Sequence, residues 1–292
     1  MRWILALAAG VFLGACGQTV SPNNDVILAD KPAPTLAAYG LFEDARARSP
    51  SERVVKYDLI NPLFSDHTDK HRYVYVPDGK TAIYQDLDVV EFPVGSVLVK
   101  TFAYGDRFLE TRLLIHKSDG WEAIPYVWNE AQTEAMYAPV GKRIEIAAGI
   151  ADAGAPAFTY AVPNKNQCKT CHQNGDAVSP IGPKARNLNH VGPHGAAQLA
   201  DWQSRGLLDG LPEDVPVMAK AFDADAPLDL QARAYLDINC AHCHNRVGPA
   251  DTSGLLLEHD APGGPSLGLC KLPIAAGKGT GGRLFGIVPG QA

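Results

Sequence analysis

The sequence predicts a multidomain α+β chain: a β-sandwich or jelly-roll-like module over residues 51–163, then two mostly α-helical modules over 164–223 and 224–292, the second incomplete at its C-terminus. Three observations predict it. Short β-branched and aromatic runs alternate with turn signals as far as Pro163, and helical spacing replaces them beyond Asn164. Each half of that second region also carries a copy of Cys-x-x-Cys-His, namely Cys168-Lys-Thr-Cys171-His172 and Cys240-Ala-His-Cys243-His244.

The N-terminus reads as an export signal. Met1-Arg2 is a short basic start, Trp3 to Leu13 an apolar stretch too short to span a bilayer, and Leu13-Gly14-Ala15-Cys16 a small-residue cleavage site. This resembles a bacterial lipoprotein signal over residues 1–15 with Cys16 as the lipidated first residue, ordinary secretory cleavage being the alternative. Gly17, where an aspartate would retain the lipoprotein inside, favours the outer membrane. The expected location is therefore the periplasmic side of the envelope, with membrane association through the lipid anchor only. Residues 16–50, rich in Pro, Ala, Asn and Ser, read as a tether.

From Val54 to Pro163, strand-like runs fall at Arg72–Val76, Val97–Phe102, Phe108–His116 and Trp121–Trp128, punctuated by Pro77-Asp-Gly79, Pro93-Val-Gly95, Gly105-Asp106 and Ser118-Asp-Gly120. Asp66, His67, Asp69 and His71 sit close together here, but a polar inter-strand turn explains them without a metal. Beyond Asn164, Ala196–Arg205 reads as a helix with Leu199 and Trp202 on one face. Leu228–Asn239 is a clearer one, with Leu228, Ala232, Tyr235 and Leu236 at helical spacing.

The paired motifs carry the chemistry. Cys-x-x-Cys-His is the attachment signature of c-type haem. On one helical turn, thiols at i and i+3 face the same way and can both add to the porphyrin vinyl groups, which leaves the next histidine beneath the iron. Cys168, Cys171 and His172 are thus the ligand set of one haem c, and Cys240, Cys243 and His244 of a second. A zinc ribbon is the competing use of two such pairs, but 68 residues separate Cys171 from Cys240, where a ribbon has about 15–20. With Cys16 lipidated and four thiols on haem, Cys270 remains, either a buried thiol or a reactive one beside Lys271.

The whole chain has 26 basic and 32 acidic residues, a formal charge of −6. This does not favour nucleic acid or an anionic membrane surface as partner, and it suits a basic or neutral redox protein.

Residues from about 164 to 290 resemble tandem cytochrome c modules. The larger pattern resembles a bacterial envelope family of dihaem c-type cytochromes with an N-terminal β-domain. The resemblance is carried by Gln167–His172, Pro180–Asn189, Arg233–Asn245, Phe92–Gly95 with Trp128-Asn129, and Ala276–Gly282. It implies that a Gly-Pro loop places a carbonyl on each proximal histidine, with Gly182-Pro183 and Gly248-Pro249 as the candidates and a plain turn as the alternative. It also implies a distal methionine, and Met218, 46 residues after His172, fits the first haem. No methionine follows His244; His259 is a substitute, and His190 or His194 could serve either haem. The glycine- and proline-rich stretch from Lys271 cannot form the usual C-terminal helix.

The expected function is one-electron transfer between a periplasmic or membrane redox partner and the respiratory chain, with no catalytic residue assigned. A dihaem peroxidase-like oxidoreductase with an open second iron is the alternative, and a sensor using the β-region is a third reading.

Overall fold

A computed structural model describes residues 20–274, 281–285 and 287. The signal peptide, Cys16 and part of the Ala276–Gly282 segment lie outside the described residues. Within them the chain runs α1 (Asn24–Ile27), a 3₁₀ turn (Leu36–Tyr39), β1 (Val54–Tyr57), β2 (Asp69–Tyr75), β3 (Ala82–Ile83), β4 (Val97–Tyr104), β5 (Arg107–Lys117), β6 (Gly120–Trp128), β7 (Ala135–Tyr137), β8 (Lys142–Ile146) and β9 (Phe158–Val162). There follow α2 (Lys165–His172), β10 (Gln173–Asn174), β11 (Ala177–Val178), α3 (Ala185–Leu188), α4 (Gln198–Ser204), β12 (Leu208–Asp209) and α5 (Leu228–Asn239).

One antiparallel sheet in the order β1-β2-β4-β5-β6-β7 organises the molecule. Its four central strands coincide with the four runs read from the sequence. Alternation with period 2 sends Tyr73, Val97, Val99, Leu113, Ile124 and Tyr126 to one face and Val74, Val76, Leu98 and Leu114 to the other. The first face is covered by the N-terminal segment, which contributes Ile27, Leu36, Tyr39, Leu41 and Phe42 to the core. Residues 20–50 are therefore packed rather than a tether. Their polar composition hides a handful of apolar side chains that the sheet face needs, and Tyr39 and Tyr126 meet edge-to-face with a 2.9 Å hydroxyl contact.

The expectation of a sandwich followed by two mostly helical modules is overturned. Strand makes up 27% of the structure and helix 18%, so the sheet, not helix packing, sets the architecture. Among the described residues no second large sheet faces the first: the others are the two-stranded pairs β3-β12, β10-β11 and β8-β9, the last packing through Ile146, Tyr160 and Val162 against Leu109 and Val127. Among the described residues from 164 on, α2 and α5 are the only helices of eight or more residues. Gly and Pro recur between them and break helical propagation.

Apart from a small cluster of Met218, Ala234 and Ile238, that region shares the core of the sheet. Ala185, Leu188, Leu199, Trp202 and Leu208 pack on the second sheet face beside Val55, Tyr57 and Phe92, and β12 pairs in parallel with β3. Among the described residues no helix is long and apolar enough to cross a membrane.

Candidate haem-attachment site

The first motif occupies the end of α2. Asn164 caps this helix through a reciprocal capping box with Gln167, each bond 2.9 Å, which fixes where the motif turn begins. Lys165 anchors the same end to β6 through Glu122, which also holds Lys117, both at 2.6 Å. Burial tends to raise the Glu122 pKa, but the two lysines outweigh it and hold the carboxylate below its ordinary 4.5. A lowered acid contributes its full stabilisation above its unfolded pKa and loses it as pH falls through the folded one. Glu122→Gln is therefore expected to flatten the loss of stability below about pH 4.5, measured by urea unfolding across pH.

After His172 the chain reverses through the β10-β11 hairpin. Its two-residue turn needs Gly175 at φ +60. The hairpin returns Ser179 beneath the histidine: the His172 Nδ1–H donates to the Ser179 carbonyl at 2.8 Å. Because that carbonyl can only accept, the tautomer is set and the Nε2 lone pair is free. Burial, partly opposed by this bond, lowers the His172 pKa to about 4, so the ring is neutral and able to ligate at pH 7.

Cys168, Cys171 and His172 line a cavity of about 410 Å³, within the range of cofactor sites. Its opposite wall is the second sheet face, where Leu98, Leu114 and Ala123 present apolar surface. In the same wall stand three cations, Arg72, Lys100 and Arg112. The register pairs Arg72 with Lys100 and Lys100 with Arg112, so they form one row across three adjacent strands. Like charges directly opposed on a sheet are destabilising.

The carboxylates nearby compensate only part of this row. Glu110, fully buried, takes Arg112 bidentately at 2.6 and 2.7 Å and accepts the Tyr160 hydroxyl. Asp58 approaches Arg72 no closer than 3.9 Å, and Arg72 Nη2 is enclosed with no partner. Burial and then the charges of Arg72 and Arg112 hold the Lys100 ammonium well below the usual lysine value. The site therefore has space, apolar walls, a neutral imidazole, two thiols and an unmet demand for anionic oxygen.

The second motif lies just past α5, in a turn closed by Cys243 N–H and His244 N–H on the Cys240 carbonyl at 3.1 and 2.9 Å. Asp237, on the buried face of α5, is gripped by Lys184 at 2.7 Å and by both terminal contacts of Arg186, and it accepts the His259 amide. This cluster places the second motif against the first. Gly175 N–H donates to the Val247 carbonyl at 3.1 Å, and Cys171, His172, Ala241 and His242 border a further cavity of about 300 Å³. The motifs thus share one body rather than heading separate units.

Ser253 plays for His244 the part Ser179 plays for His172. Its hydroxyl donates to the Ala250 carbonyl at 2.7 Å, so its oxygen accepts from His244 Nδ1–H at 2.9 Å and Nε2 is again free. The Gly-Pro loops do neither job. Gly182-Pro183 lines the cavity. Gly248 lies where a Cβ would come within 2.5 Å of the Cys243 carbonyl, and its own carbonyl accepts the Asp251 amide at 3.0 Å.

Met218 is buried in a small core with Ala234 and Ile238 under α5, touching Ile60 and Leu63. It is not among the residues lining the cavity at His172. His259 is held by its backbone to Asp237, and His190 bonds the Asp58 carbonyl at 3.2 Å. Cys270 is exposed, and among the described residues no group of three or more His, Cys, Asp or Glu side chains converges as one shared metal site would require.

The cation row escaped the sequence reading because Lys100 and Arg112 stand inside apolar runs read only as strands. A charge at an inward strand position was the available signal. No family model, curated protein or solved structure matches this chain.

Proposed function

We propose that the chain is a dihaem c-type cytochrome of the periplasmic face, carrying single electrons through two covalently attached haems. The observation that carries this reading is the juxtaposition of Cys168, Cys171 and a neutral His172 with an apolar cavity whose far wall holds the row Arg72, Lys100 and Arg112. Haem c has an apolar disc and two carboxylate side chains, the complement of such a space. Bound there, it would supply reversible one-electron chemistry at iron.

The protein's own groups divide the remaining work. The two thiols would tether the ring, His172 Nε2 would ligate, and the cations would neutralise the carboxylates, with Arg72 Nη2 gaining the partner it lacks. Leu98 and Leu114 exclude water, which lets the sheet face tune the potential. Cys240, Cys243 and His244 would hold the second haem. The hydrogen-bonded contact between the motif loops supports transfer from one haem to the other within the molecule. The remaining requirement is a redox partner protein, and lipidation at Cys16 would keep the chain at the membrane.

Cys240, Cys243 and His244 are only half-buried, and this favours a second reading, a peroxidase-like oxidoreductase with an open second iron. Co-expression with haem-maturation machinery tests both. The native chain is expected to carry two covalent haems by haemochrome assay, and Cys168→Ser with Cys171→Ser is expected to remove one. Fewer than two in the native chain would overturn the proposal, and a high-spin haem binding cyanide, lost with Cys240→Ser and Cys243→Ser, would favour the peroxidase reading.

A further inference from the structure

Building on the reading of Cys168, Cys171 and His172 as a haem site, we infer that His242, inside the second motif, gives a ring nitrogen as the other axial ligand of the first iron. The segment after α5 leaves the helix at Cys240, and its turn is closed by Cys243 N–H and His244 N–H on the Cys240 carbonyl. The structure places His242, within this turn, in the wall of the first motif's cavity.

His242 has the properties of an unoccupied ligand. Its Nδ1 is enclosed with no hydrogen-bond partner, and among the described residues Nε2 has none either. A buried imidazole nitrogen without a partner is destabilising, and a bond to metal would remove that cost.

The other candidates are weaker. Of the cavity-lining side chains able to ligate haem iron besides His172, only His242, Lys100 and Tyr57 remain once the thiols are on the ring. Burial pushes the Tyr57 hydroxyl up to about 12, which keeps it protonated. Lys100 stands in the cation row facing the carboxylate demand and packs 5.0 Å from the Phe102 ring. Met218 faces α5 instead.

The test uses the haem-loaded full chain with Cys240→Ser and Cys243→Ser, so that only the first haem contributes. Electron paramagnetic resonance and near-infrared magnetic circular dichroism are expected to show one low-spin iron with two nitrogen ligands. Adding His242→Ala is expected to abolish the low-spin signal, and free imidazole to restore it. That rescue reads ligation and not a folding defect. The same substitution in the dihaem chain is expected to remove one low-spin signal of two. A sulfur-ligated spectrum before substitution would assign Met218 and overturn the inference. So would a low-spin signal that survives His242→Ala, with its loss in Lys100→Leu then identifying the lysine. A native chain without covalent haem would instead defeat the cytochrome reading itself.

Discussion

Replacing Asp237 by Asn is expected to lower the free energy of unfolding by about 3–5 kcal/mol, measured by denaturant titration of the chain. Asp237 has no solvent exposure, and Lys184 and Arg186, with side chains 13% and 5% exposed, both close on it. Removing its charge leaves two largely buried cations without their counter-charge. An exposed pair such as Arg53–Asp78, with side chains 43% and 72% exposed, should change by at most about 1 kcal/mol when broken. The pH dependence has a definite sign. Burial alone would raise the Asp237 pKa, but Lys184 and Arg186 prevail and hold it below the ordinary 3.8. Its stabilisation is therefore complete above about pH 3.8 and lost as acid takes the pH through the folded value, a loss that Asp237→Asn should no longer show. The local consequence is functional, since this aspartate fastens α5, and with it the second motif, beside the first.

Trp202→Ala is expected to cost about 3–5 kcal/mol and to shift a single unfolding transition, followed in parallel by far-ultraviolet circular dichroism and, in the haem-loaded chain, by the haem absorbance. Trp202 is 1% exposed and meets Tyr57 edge-to-face at 5.5 Å and Phe92 at 6.4 Å. It joins α4 to the sheet, so the sheet and the haem-motif region should unfold together. Two separated transitions would show that the region from residue 164 folds by itself. Trp202→Phe should cost less, because the ring contacts are largely retained and the indole N–H, buried with no partner, is removed with the rest of the indole.

The paired motifs and the central strands are legible in the chain without its fold. Cys168-Lys-Thr-Cys171-His172 and Cys240-Ala-His-Cys243-His244 are local patterns whose spacing is the chemistry, so no long-range contact was needed to read them. The four central strands were equally legible, since period-2 burial is written in consecutive residues. Tertiary structure alone decided the rest. Whether residues 20–50 are tether or core depended on a sheet face formed by strands far along the chain, and helical spacing around Leu199 and Trp202 said nothing of whether that face would close a separate bundle or cover the sheet. The proximal carbonyl came from Ser179 through a hairpin rather than from a Gly-Pro loop. The row of Arg72, Lys100 and Arg112 exists only in the register of three strands. A motif is held by covalent spacing, whereas a pocket wall is the sum of pairings between residues that do not adjoin in the chain.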